Sequence, residues 1–253
     1  MATPHGMPAS GNQFIDAQHS LLTELIHVAA ESARQGGEGF AEAVQAFHHA
    51  LADHFAVEGI IYRGAGFGAS EEHDEAHSII LARTHAITDS LILAQSTSDR
   101  HSIVDELERI LFDHELLEDS AYWEAINDRG DEPVIIWDAE LDTGIAWIDD
   151  QHRHMVAIIN ELAIADQAGH QVESAELMAR FQRHARQHFA AEERYLATLG
   201  QSVSAHRRDH ARLMDELDAL VQGGESGVLA MQYLRFWILD HIRTSDLPEF
   251  CYT

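Results

Sequence analysis

The chain has 253 residues, long for one small helical bundle and comfortable for two domains of roughly 120 residues each. Its 43 acidic against 16 basic residues give a formal charge of −27, which repels nucleic acid phosphates and anionic lipid surfaces, so nucleic acid is excluded as an expected partner. Every basic residue is arginine, which excludes lysine Schiff-base chemistry, and the lone cysteine, Cys251, leaves no disulfide framework within the chain.

The opening "MATPHGMPASGNQ" is small and polar with no apolar h-region, so residues 1–12 are expected to be a flexible tail. No run of 18 apolar residues follows anywhere, and a cytoplasmic protein without membrane insertion is expected. In "IDAQHSLLTELIHVAAESARQ", Ile15, His19, Leu22 and Ile26 follow steps of four, three and four, one face of a helix. A second helix is predicted through "GFAEAVQAFHHALADHFAVEGIIYR", stopping at "GAGFGAS"; a third covers "EEHDEAHSIILARTHAITDSLILA" and a fourth "SIVDELERILFDHELLEDSAYW". Prolines occur only at 4, 8, 133 and 248, so these stretches are free of the strongest breaker. Short connections between four helices predict an antiparallel bundle over 13–127.

Residues 128–133, within "NDRGDEP", suit a linker. From 134 the order starts again: an arm "VIIWDAELDTG", then "GIAWIDDQHRHMVAIINELA", "FQRHARQHFAAEERYLATL", "SAHRRDHARLMDELDALV" and "GVLAMQYLRFWILDHIRTSD". The expected fold class is all-α, two tandem antiparallel up-down four-helix bundles, the second over 134–253.

Nineteen histidines are several times the usual share, and the repeat sorts them. His19 meets His152 at an offset of 133; His54 and Glu58 meet His188 and Glu192 at 134; His73 and His77 meet His206 and His210 at 133; His114 and Asp119 meet His241 and Asp246 at 127. The offset changes between helices, where loops tolerate insertion, and not inside a motif. H-x-x-x-E and H-x-x-x-H each place two side chains one turn apart on one helix face, able to reach a common ion. Five inward imidazoles and two inward carboxylates are costly to bury without a strong common partner. They are too many for one zinc and too nitrogen-rich for magnesium or calcium. A pair of redox-active first-row metals, iron above all, suits imidazole with bridging carboxylate in a bundle core.

His19 with "HFAVE", "HDEAH" and "HELLED", and "IDDQH" with "HFAAE", "HRRDH" and "HIRTSD", resemble the hemerythrin family, specifically bacterial hemerythrins, and the arm before the second set is similar to the family's N-terminal arm. The resemblance implies reversible binding of dioxygen, for storage or delivery, at a non-haem di-iron centre with an oxo or hydroxo bridge, two irons per domain and four per chain. By motif position one iron of the first half would take His73, His77 and His114 and the other His19 and His54, bridged by Glu58 and Asp119. In the second half the sets are His206, His210 and His241 against His152 and His188, bridged by Glu192 and Asp246. Glu192 is preferred to Glu193 because the first half reads "EG" at 58 and 59. The two-histidine iron keeps the open position, and Leu111 and Ile238, one turn before the fourth-helix histidine, are candidates to press on the ligand; core packing is the competing reading for both, as it is for Phe55 and Phe189. No catalytic residue is assigned and no enzyme is expected. The alternatives are oxygen or redox sensing through an unknown protein partner, and nitric oxide reduction, peroxide reduction or iron-centre repair. Two departures stand out: "LGQSVS" lacks the family's tyrosine-proline loop, and the first half has no arm like "VIIWDAELDTG".

Overall fold

The computed structural model describes residues 9–91, 94, 96–126, 135–200, 203–222 and 227–250, and among them every regular element is helical. The chain divides into two compact units, residues 1–128 and 129–253. The expected linker, 128–133, lies outside the described residues, as do residues 1–8 of the expected tail.

Unit 1 is built from α1 (Gln13–Arg34), α2 (Phe40–Gly64), α3 (Ser70–Ser90), α4 (Thr97–Leu117), a 3₁₀ turn (Asp119–Ala121) and the short α5 (Trp123–Ile126). Helix α1 packs on α2 and α4, α2 on α3 and α5, and α3 on α4, closing a ring of four long helices. Its apolar stripes meet in a core of Leu22, Ile26, Val44, Phe47, Leu51, Phe55, Val104, Leu107 and Leu111. The ends of α1 and α4 are fixed locally. Asn12 Oδ1 accepts from the N–H groups of Phe14 and Ile15 at 3.0 and 3.3 Å, and Ser96 and Asp99 form a reciprocal capping box.

Residues 9–12 therefore depart from the tail expected over 1–12. Ser10 and Asn12 are buried, and Ser10 donates both its N–H and its hydroxyl to Asp16 Oδ1, each at 2.8 Å. Unit 2 repeats the device 133 positions later, where Thr143 donates its N–H and hydroxyl to Asp149 Oδ1 at 2.8 and 2.7 Å. The glycines that follow, Gly11 and Gly144, hold φ of 87° and 81°, left-handed values that disfavour a Cβ. The first half thus keeps the last turn of the arm it was expected to lack.

Unit 2 contains a 3₁₀ turn (Ala139–Leu141), α6 (Ala146–Gln167), α7 (Gln171–Thr198), α8 (Ser204–Gln222), α9 (Gly227–His241), a π-helical turn (Ile242–Asp246) and α10 (Leu247–Phe250). Helix α6 packs on α7 and α9, and α7 on α8. The arm docks on α6 through Asn160, whose amide exchanges two hydrogen bonds with the backbone of Ile135 at 3.0 and 2.9 Å.

The fourth helix of each unit is not continuous through its ligand motif, as the sequence pattern expected. Five α-helical steps turn a residue about 500°, leaving it roughly 140° off the starting face. His114 and Asp119, like His241 and Asp246, are five apart, so an unbroken α-helix cannot aim both inward. In unit 1 the helix stops at Leu117 and a 3₁₀ turn brings Asp119 back; in unit 2 the π-helical turn does so.

Candidate metal centres

All fourteen residues singled out by the repeat are buried, none more than 7% exposed, and they gather into two clusters, one per unit. In unit 2 the ligand atoms of His206, His210, His241, Glu192 and Asp246 lie within 4.8 Å of one another, and those of His152, His188, Glu192 and Asp246 form a second such group. Both carboxylates belong to both groups. Glu192 turns Oε1 toward His188 Nε2 at 3.3 Å and Oε2 toward His210 and His206 Nε2 at 3.4 and 3.6 Å. Asp246 turns Oδ2 toward His152 at 3.1 Å and Oδ1 toward His241 at 3.2 Å. Each carboxylate therefore offers one oxygen to each histidine set.

Within a set the imidazole nitrogens converge. His152 and His188 Nε2 are 2.9 Å apart, His210 and His241 Nε2 3.3 Å, and in unit 1 His77 and His114 Nε2 3.0 Å. Two ligands each about 2.1 Å from one ion and roughly at right angles lie about 3 Å apart, so the spacing suits adjacent positions on a shared cation.

Unit 1 gathers Glu58, His73, His77, His114 and Asp119 in one group and His19, His54 and Asp119 in the other. Asp119 Oδ1 lies 2.9 Å from His114 Nε2 and 3.3 Å from His73 Nε2, and Glu58 Oε2 lies 3.1 Å from His77 Nε2 and 3.5 Å from His54 Nε2. Glu58 departs from Glu192 in two respects: Oε2 alone faces both His54 and His77, and Oε1 accepts a hydrogen bond from the phenol of Tyr122.

The electrostatics fit a site that could hold a cation. Burial lowers His19 to about 4 and His54 and His77 to about 3, and it holds His188 and His210 low as well. Neutral imidazoles are the form that ligates. Burial, and then the charge of the second carboxylate, pushes Glu58 up to about 7 and Glu192 well above the carboxylate range. Burial opposes ionisation of Asp119 and Asp246 too, but the close histidines outweigh it and hold both low. His241 moves the other way: burial disfavours its charge, yet Asp246 and Asp209 carry it up to about 10. Glu58 Oε2 and all four oxygens of Asp119 and Asp246 are buried without an aligned hydrogen-bond donor, as are both Glu192 oxygens and Nε2 of His19, His54, His73 and His206. Buried polar atoms in such numbers are expected to have partners, and a metal pair would supply them.

The outer ring nitrogens have partners of their own. His54 Nδ1 lies 3.1 Å from Gln18 Oε1, and His188 Nδ1 2.9 Å from Gln151 Oε1, the glutamine of "IDxQH" in each half. His114 Nδ1 faces Glu118 and His241 Nδ1 faces Asp209, both at 3.3 Å. Glu193, one-fifth exposed, meets His210 Nδ1 at 3.3 Å and pairs with Arg207, away from the nitrogens that converge on Glu192. Such partners fix ring orientation and raise ligand basicity.

Several contacts were not anticipated. Phe55 and Phe189, expected in the core, also stack on cluster histidines, Phe55 on His77 at 3.9 Å between ring centres and Phe189 on His210 at 4.0 Å. Glu115 is fully buried in unit 1, with Oε2 3.2 Å from His19 Nδ1, and burial followed by the charges of Asp119 and Glu58 pushes it up to about 9. Leu111 and Ile238 are both buried, Leu111 in the core beside Leu107 and Phe55.

The family model described as "Hemerythrin HHE cation binding domain" matches residues 143–248. A bacteriohemerythrin of Pseudomonas aeruginosa is 33% identical over 117 residues, 44% of this chain and 76% of that protein. One from Pseudomonas paraeruginosa is 33% identical over the same length, and one from Stenotrophomonas maltophilia is 29% identical over 119 residues, 45% of this chain and 77% of that protein. No solved structure matches.

Proposed function

The chain belongs to the hemerythrin family, and from that premise we propose that it carries two tandem four-helix bundles, each with a non-haem di-iron centre that binds dioxygen reversibly for storage or delivery. The observation that carries the reading is the division of oxygens in unit 2, where Glu192 and Asp246 each present one oxygen to the two-histidine set and one to the three-histidine set. His206, His210 and His241 would hold one iron, His152 and His188 the other; in unit 1 His73, His77 and His114 would hold one, His19 and His54 the other, with Glu58 and Asp119 between them. When bound, the iron pair supplies the electrons for reversible attachment of dioxygen.

The chain's own residues do the rest. Gln18 and Gln151 hold the rings of His54 and His188 in one orientation. Phe55 and Phe189 cover a histidine of the three-histidine set, and the buried Leu111 and Ile238 would wall the ligand position with hydrocarbon and keep out the water and anions that compete for it. No helix among the described residues is long and apolar enough to cross a membrane. A second reading, peroxide reduction in unit 1, is favoured by Tyr122, whose hydroxyl donates to Glu58 at that centre.

The test is a titration of the reduced, iron-loaded protein with oxygen while its visible spectrum is followed. A carrier turns from colourless to purple-red and reverts under vacuum. Steady consumption of oxygen or irreversible bleaching overturns the carrier reading.

A further inference from the structure

The two centres differ at one position of the fourth helix. Glu115, directly after His114, matches Ile242, directly after His241. Both side chains are fully buried, so the exchange places a carboxylate where the other unit has hydrocarbon. Both Glu115 oxygens lack an aligned hydrogen-bond donor, and Oε2 stands 3.2 Å from Nδ1 of His19. In unit 2 the matching His152 turns Nε2 inward, 2.9 Å from His188 Nε2 and 3.1 Å from Asp246, while its Nδ1 is buried with no hydrogen-bond partner.

We propose, resting on the di-iron reading above, that Glu115 is a positioning residue that acts through His19 and makes the first centre electronically different from the second. A cation held at Nε2 would fix the tautomer with hydrogen on Nδ1, which then donates to Glu115 Oε2, 3.2 Å away. The carboxylate then draws on the Nδ1 hydrogen, and electron density at Nε2 rises. A more basic ligand favours ferric over ferrous iron. Glu115 therefore tightens iron binding at the first centre and lowers that centre's midpoint potential, an influence that Ile242 cannot exert in unit 2.

The experiment uses the full chain carrying Glu192→Ala and Asp246→Ala, so that iron and visible absorption come from unit 1 alone. The iron-free protein is loaded with ferrous iron without oxygen, iron binding is measured against a ferrous chelator, and the midpoint potential by spectroelectrochemistry. Glu115→Gln should raise the potential and weaken iron binding about tenfold or more, the usual scale for such a partner, and Glu115→Asp should restore part of both. Should Glu115→Ile fold poorly, the isosteric glutamine decides. A glutamine variant with potential unmoved and affinity within about twofold of its parent overturns the role of Glu115 while leaving the di-iron reading intact. A parent that binds no iron overturns both. In the reverse background, with Glu58→Ala and Asp119→Ala, Ile242→Glu should lower the potential of unit 2.

Discussion

Tyr122 donates its phenol hydrogen to Oε1 of Glu58, and the bond holds that carboxylate differently from its counterpart Glu192, whose two oxygens divide between two sets of histidines. Removing the hydroxyl should leave Oε1 buried and unpaired. Tyr122→Phe is expected to cost the iron-free protein about 1 to 3 kcal/mol, read by chemical denaturation. With iron bound the loss should shrink, because Oε1 becomes available to metal. An equal loss with and without iron would place Tyr122 outside the centre.

Gln18 and Gln151 make the same contact 133 positions apart, so they should fail alike. Gln18→Ala and Gln151→Ala are each expected to weaken iron binding about 10- to 100-fold at their own centre only. Chelator competition with the full chain measures both. A variant that weakens both centres would show that the two do not load independently.

Independence has a blunter check in the bridging residues. Glu58→Ala and Glu192→Ala, made one at a time, should each halve an iron content of about four per chain. Metal analysis decides, and a single change that empties the whole chain contradicts the expectation.

Proton uptake sets two limits on the iron-free protein. His19, His54 and His77 take up protons less readily folded than unfolded, since burial lowers them to about 4, 3 and 3. Their contribution is intact above an unfolded value of about 6.5 and is lost as the pH falls toward the folded values. Glu115, raised to about 9, acts in the opposite sense: its contribution is whole below the unfolded value of about 4.3 and is lost as the pH rises through 9. The melting temperature of unit 1 should fall on both sides of an optimum near neutrality, and Glu115→Gln should make the alkaline decline shallower, leaving the share of Glu58, which is raised to about 7. Calorimetry across pH measures this; an unchanged alkaline side would contradict the burial of Glu115.

Leu111 and Ile238 separate packing from a pocket role by two readouts. Ala at either place should cost about 2 to 5 kcal/mol through the cavity it leaves. If the side chains also wall the ligand position, the oxygenated spectrum should decay several-fold faster at the altered centre. Lost stability with unchanged decay assigns them to packing.

The legible part of this site is the part written in helical period. H-x-x-x-E and H-x-x-x-H keep one face of an α-helix, so spacing alone gathered His54 with Glu58 and His73 with His77, and duplication separated them from the other histidines. The fourth-helix motif is harder, because His114 and Asp119 share a direction only where the helix breaks. Glu115 and Tyr122 were hidden for the same reason: one follows an inward histidine directly, the other lies beyond the last regular turn, and neither has a like residue in the second half. Gln18 could have been found, since "IDxQH" repeats it in place beside the histidine.

The Ser10 and Asp16 bonds, with Thr143 and Asp149 in the second unit, also say where either unit can be cut. Asp16 and Asp149 stand three residues, less than one turn, before His19 and His152, so these bonds would set the rotation of α1 and α6 about their axes. A fragment trimmed to the first helical residue would keep every ligand and lose the pin that clocks the first of them. The working boundary of each half is a serine or a threonine in the approach to the helix, and a fusion partner or affinity tag belongs upstream of it.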